Sequence, residues 1–161
     1  MITRITAAGL ACAFAVAASA TGFAADTKCG SFSLRGGEKV IDVVDNPPKG
    51  PSPGDVRAGN RQLIDDGGDG VAVVHFSATL TALPTATSGS TFASQYFVKF
   101  ADGWIATSSV YELADAKDTS QRAGDAVLLV SGGTGAFENA TGTVEIKAGD
   151  PPTYVFDLTC E

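Results

Sequence analysis

Apolar and polar residues alternate in short runs along this chain, and past the N-terminal segment no stretch carries a helical stripe. β-Branched and aromatic runs are cut by Gly, Pro, Asp and Asn, which is the pattern of strands joined by turns. Val40 to Val44 predicts a first strand, ended by a loop from Asn46 to Gly54 whose prolines lack the amide donors a ladder needs. Val56 to Ile64 predicts a second, more polar strand, and Asp65 to Gly70 a tight turn with glycines for positive φ. Val71 to Leu80 is the longest strand candidate. After a polar stretch from Pro84 to Thr91, Gln95 to Phe100 and Trp104 to Tyr111 predict a hairpin around Asp102-Gly103. Ala126 to Ser131, Thr143 to Lys147 and Thr153 to Thr159 complete seven or eight strands, an all-β antiparallel barrel or sandwich. Ala114 to Gly124 is polar and reads as a loop or a short helix. There is no internal repeat and no second domain.

The first residues follow a different pattern. Met1 to Arg4 is a short basic start, Ile5 to Ala20 is almost wholly apolar, and small residues close the segment at Ala24-Ala25. That layout predicts a secretory signal peptide over residues 1–25 and a single mature domain over 26–161. The run is short and Ala-rich for a membrane span, which needs about 20 strongly apolar residues. The expected location is therefore secreted or periplasmic. Arg4 is the only charge in the segment, so its removal takes the formal charge from −7 to −8. An acidic domain repels phosphate backbones and anionic bilayers, so neither nucleic acid nor a membrane surface is expected as a partner.

Two cysteines remain, Cys29 and Cys160, at the two ends of the mature chain. In an exported protein they invite a disulfide if the ends lie on neighbouring strands, and two free thiols otherwise. One histidine and no close cysteine spacing argue against a metal site. No cofactor motif is present.

The run Ala126 to Val144 carries a more specific mark. An apolar strand leads into Gly132-Gly133-Thr134-Gly135, then Ala136-Phe137-Glu138, then Gly142-Thr143-Val144. With Gly54-Asp55-Val56, Gly70-Val71 and the Tyr96-Phe97, Trp104-Ile105 and Tyr111 order, this resembles the allene oxide cyclase family, whose turn the dirigent proteins share. The resemblance spans roughly residues 38–160. It implies an eight-stranded antiparallel barrel with a largely apolar cavity, in which plant members cyclise a fatty-acid epoxide. It also implies that the cavity tyrosine is matched by Tyr111. The first-strand Glu and Asn fall at Val40 and Asp42, the second-strand Asn at Arg61, the cavity cysteine near Phe76, and the loop proline at Pro51 or Pro53. In the plant members the barrels form trimers, so a homo-oligomer is a possible assembly.

Residue by residue, the glycine run has two readings. A phosphate cradle should open a helix; here a strand follows and no lysine is present, so a tight barrel turn with positive φ is expected, with Phe137 plugging the barrel end. In the family register Asp42 points into the cavity, beside Arg61 or Arg57. The candidate catalytic set is then Asp42, Arg61 and Tyr111. Pro53, Phe76 and the Tyr111-facing Ile105 and Thr107 are candidate substrate contacts. Alternation places His75 and Trp104 on the outer face. Three functions fit: a cyclase or isomerase acting on a hydrophobic, oxygenated small molecule; a non-catalytic lipid-binding or dirigent-like barrel; and a packed envelope module.

Overall fold

The computed structural model describes residues 29–113 and 125–160. The expected signal peptide and the polar segment from Ala114 to Gly124 lie outside them. Eight strands run in chain order: β1 (Gly30–Val44), β2 (Val56–Ile64), β3 (Gly70–Ala82), β4 (Ser90–Phe100), β5 (Gly103–Leu113), β6 (Ala126–Gly135), β7 (Thr141–Lys147) and β8 (Thr153–Thr159). Each pairs antiparallel with the next, and β1 pairs with β8, so the sheet closes into a barrel. The all-β, eight-stranded antiparallel barrel expected from the sequence is the fold. A closed sheet leaves no free edges at the level where closure is complete.

Strand β1 performs the closure. Gly30 to Arg35 pair with β8, and the strand pairs with β2 from Arg35 through to Val44. The register slips between Gly36 and Lys39. Before the slip the even-numbered Phe32 and Leu34 pack into the core; after it, the odd-numbered Lys39 and Ile41 face inward. The alternation of an extended strand is strict, so one irregularity exchanges its faces. Only Val40 to Val44 of this strand was legible. The Ser-, Gly- and charge-rich stretch before it carries too little β-propensity to register as a strand.

The lower end of the barrel is filled. Phe32 stacks on Phe156 at 4.6 Å between ring centroids, Phe100 packs on Phe137 at 4.8 Å, and Phe100 meets Phe156 edge-on at 5.9 Å. Phe137 and Phe156 are fully buried. Cys29 and Cys160 form a disulfide across 131 residues of sequence, packed against this cluster. Phe137 thus plugs the barrel end as expected. The glycine run differs from its expected place: Gly132 to Gly135 close β6, paired with Ala106 to Gly103 of β5, and the turn is residues 136–139. The glycines serve the same end. Gly135 has φ +63°, and a β-carbon on Gly133 would sit 2.8 Å from Phe137 Cβ. The chain folds back onto its own plug there, and only glycine leaves room.

The upper end is looser. Ala78, Leu80, Phe92 and Leu113 form a second, smaller cluster, with Tyr111 packed against it. Above it the 45–55 loop is tied by the buried Asp55. That carboxylate accepts hydrogen bonds from Ser52 N at 2.8 Å, Asn46 N at 2.9 Å and Ser52 Oγ at 3.2 Å. The Ser52 amide leads in holding its pKa below the ordinary carboxylate value, against the opposing effect of burial; Asn46, the Ser52 hydroxyl and Arg57 add to the lowering.

Two outcomes follow from these ties. The unreduced chain should be lighter than the reduced chain by two hydrogen atoms in intact mass spectrometry. Replacing Cys29 and Cys160 by Ser should cost about 4 kcal/mol in denaturant unfolding, the order expected from loop-closure entropy. For Asp55, the folded pKa lies below the unfolded value of about 3.9, so its contribution is complete above that value and fades as pH falls through the folded pKa. The urea midpoint of Asp55→Asn should trail the wild type most near neutral pH, and the gap should narrow below pH ~4.

Candidate ligand-binding cavity

Where β1 leaves β8, the barrel wall becomes uneven. Gly36 N still donates to Pro152 O at 2.8 Å, and β1 then continues to Val44 beside β2 alone among the described strands. Strands β7 and β8 are already joined at that level, with Lys147 paired to Thr153 and Thr153 to Arg35. A tall wall of β1 to β5 therefore stands opposite a short wall of β6 to β8. Between the lower core and the upper cluster lies a cavity of about 610 Å³, within the ordinary range for small-molecule sites.

Its surfaces divide by strand. Phe76 and Ala78 of β3, Tyr96 of β4, Leu113 of β5 and Ile146 of β7 supply apolar and aromatic contact. Tyr96, Tyr111 and Tyr154 bring phenols to the same space. The β1–β2 wall supplies Lys39, Arg57 and Arg61, and Lys147 stands at the rim. Asp150, exposed in the β7–β8 loop, is the one carboxylate in the lining among the described residues. A protein of net charge −7 thus presents a basic cavity.

Each cation is held differently. Arg57 lies over the Phe92 ring, 4.5 Å from its centroid, and Phe92 stacks on Tyr111 at 5.5 Å. Burial pulls the Arg57 guanidinium pKa down, and Tyr111 and Asp55 pull it back up. Arg61 is half-buried, and its Nη1 donates to Gly37 O at 3.3 Å. Lys147 pairs with Glu145 at 3.7 Å, both exposed to solvent. Two buried hydroxyls, Ser90 Oγ and Thr107 Oγ1, have no hydrogen-bond partner among the described residues. They stand opposite Leu113 and Tyr96 in the ladder, beside the cavity wall. An unpaired buried hydroxyl is costly, about 1–3 kcal/mol.

The structure brings together Arg61, Tyr111 and Phe76 from the residues singled out in the sequence. Ile105 and Thr107 face inward but lie in the packed interior, outside the lining. Pro53 is exposed in the 45–55 loop, away from the cavity. Asp42 is a correction: it is exposed on the outer face, opposite Ala58, because the slip at Gly36 to Lys39 turned Ile41 inward in its place. His75 and Trp104 lie outside as expected, stacked at 5.9 Å, with Lys99 Nζ 5.3 Å from the Trp104 ring. Arg57 had entered only as a partner for Asp42, and Tyr96 and Tyr154 had not been singled out. Their signal was present: Arg57 is two alternations from Arg61, and Tyr96 and Tyr154 share faces with Val98 and Phe156.

Chemically, the cavity offers phenols and guanidinium groups at depth and a carboxylate only at its rim. No imidazole reaches it, and no group of three or more His, Cys, Asp or Glu able to hold a metal occurs among the described residues. General acid–base work by a carboxylate pair has no residues here. Hydrogen bonding to a ligand oxygen and confinement of an apolar body do.

No protein-family model matches the chain, and no curated protein matches it by sequence. Solved structures do share its fold. A pyocyanin demethylase superposes with a TM-score of 0.67 at 18% identity, over 80% of this chain and 99% of that one. The Diels–Alderase AbmU from Streptomyces koyangensis gives 0.60 at 14% identity, and a nonspecific heme-binding cyclase that catalyses [4 + 2] cycloaddition in neoabyssomicin biosynthesis gives 0.57 at 15%. Both cover 80% of this chain, which spans 63% of their length. None of these three is an allene oxide cyclase, and at these identities the likeness is one of fold.

Asp42→Asn should leave stability within about ±0.5 kcal/mol, the range of ordinary surface changes, and should leave ligand uptake unchanged. Thermal unfolding and a binding titration on the same preparation check both.

Proposed function

We propose that this protein is an exported barrel that holds a hydrophobic, oxygen-bearing small molecule in its upper cavity. The observation that carries the reading is the cavity of about 610 Å³ inside a closed barrel, walled by apolar and aromatic side chains on which three phenols and two guanidinium groups converge. Its lining is divided about evenly between polar and apolar surface, which suits a ligand that carries both. Arg61, Tyr111 and Phe76 are its ligand contacts, joined by Arg57, Tyr96 and Tyr154. The uncapped space speaks against a packed envelope module. Export rests on the disulfide, which persists in oxidising compartments, and on the signal-like residues 1–25. No described helix is long and apolar enough to cross a membrane.

If the ligand reacts, it reacts as an isomerisation or ring closure. Such steps need a folded geometry more than proton transfer, and a rigid apolar wall supplies it. Phenols and guanidinium groups fixed beforehand add oriented dipoles for a developing charge on oxygen. The solved barrels of similar fold include named cyclases, which supports this class while leaving the reaction itself to the site. A second reading, a carrier that leaves its ligand unchanged, is favoured by one observation: no carboxylate or imidazole stands deep in the lining.

The cavity should take up a neutral, polarity-sensitive dye such as Nile red, saturably and in equal proportion. Ala78→Trp, which fills the space, should weaken uptake about tenfold, whereas Phe97→Ala on the outer face should not change it. Equal uptake by Ala78→Trp would place the dye elsewhere and remove the reading. Enzyme and carrier separate on the molecule that co-purifies: an isomerase returns it as a product of the same mass, a carrier returns it unaltered.

A further inference from the structure

The cavity's charge is the feature that a merely apolar ligand does not use. Resting on the ligand-cavity reading above, we propose that the bound molecule is an organic oxyanion with an apolar body, its anionic oxygens held at Arg61 on the basic β1–β2 wall.

Arg61 carries the argument. It is half-buried, lines the cavity, and has no carboxylate of a described residue within 4.0 Å. Its Nη1 donates to Gly37 O at 3.3 Å, a neutral acceptor at the long end of hydrogen bonding. A guanidinium has five donors in a planar fork, so most of this one remains to be matched, and a carboxylate-type group matches two at once. A partly desolvated charge is costly without a counter-ion. Two neighbours reinforce the sign. Lys39 is the direct cross-strand partner of Arg61, and Arg57 lies two alternations along β2.

The acids around this wall do not cancel it. Asp55, behind Arg57, spends its oxygens on Asn46 and Ser52. Glu145 pairs with Lys147 at the solvent-exposed rim, and Asp150 is exposed in its loop. Exposed charges are screened by water and salt, so the half-buried guanidinium groups dominate the field inside. Beside them on β3 stand Phe76 and Ala78, the latter paired with Arg57, while Leu113 of β5 and Ile146 of β7 lie on strands that do not pair with β2. A basic wall bordered by apolar side chains suits an amphiphile: charge toward β1–β2, body toward β3, β5 and β7.

Three ten-carbon probes of equal tail test this by calorimetry, each kept monomeric in solution: decanoate, decanol and decyltrimethylammonium. The wild-type protein should bind decanoate about tenfold tighter than decanol, the order of one charge-assisted hydrogen-bonded pair, and the ammonium more weakly than either. Added salt should weaken decanoate and leave decanol unchanged. Arg61→Gln should erase the decanoate preference while keeping decanol binding within about twofold, and Arg61→Lys should restore part of it. Equal binding of decanoate and decanol by the wild type, or a preference for the ammonium, overturns the oxyanion assignment but leaves a hydrophobic ligand standing. Binding of none of the three overturns both. The wild-type comparison decides the matter even if an Arg61 variant does not fold.

Discussion

Closure of the sheet through β1 is the constraint from which the rest of the molecule follows. As first strand, β1 pairs with the last, β8, over Gly30 to Arg35, and with β2 from Arg35 to Val44. The β8 ladder ends at Arg35, which leaves one wall short, and just beyond it the β2 ladder slips between Gly36 and Lys39. The slip exchanges the faces of β1, so Lys39 and Ile41 turn inward while Val40 and Asp42 turn out. The disulfide and the four-phenylalanine floor lie on the closed side of this point, and the cavity lies on the open side.

That division puts the dense plug and the cavity at different ends of one barrel. Below, aromatic rings, the glycine fold-back on Phe137 and the Cys29–Cys160 bridge make a dense plug. Above, Phe92, Leu80, Ala78 and Leu113 form only a partial roof, and the ladder opposite stops short. Polar groups could be placed above because the space is not needed for packing. A pyocyanin demethylase and a Diels–Alderase share this fold, and what such a barrel does is decided by the side chains grafted on it.

Most of the strands were legible because their signal is local: β-branched runs, alternation and glycine punctuation need no knowledge of the partner strand. The inward positions of Phe76, Tyr111 and Arg61 came from the family register, and all three line the cavity. Asp42 came from the same register, and there it did not hold. Its parity was right relative to Val40 and Val44, but parity fixes only which residues share a face, and the slip that decided the face lies in a Gly-Gly stretch without strand character. The glycine run was read as a turn when it is the end of β6, since glycines suit a turn and a close approach equally well. Ile105 and Thr107 were correctly inward, yet nothing local separates a cavity wall from the packed core a level below.

The central claim is that the space above the phenylalanine floor is a ligand site rather than a packing defect. Crystallography with bromobenzene, read from the anomalous signal of bromine, tests it directly. The account expects a dominant bromine peak inside the barrel, in contact with Phe76, Ala78 or Leu113, with β1 still parted from β8 at Gly36. A peak confined to the outer face beside Val110, Val127 and Leu129, with the interior closed by its own side chains, would contradict it.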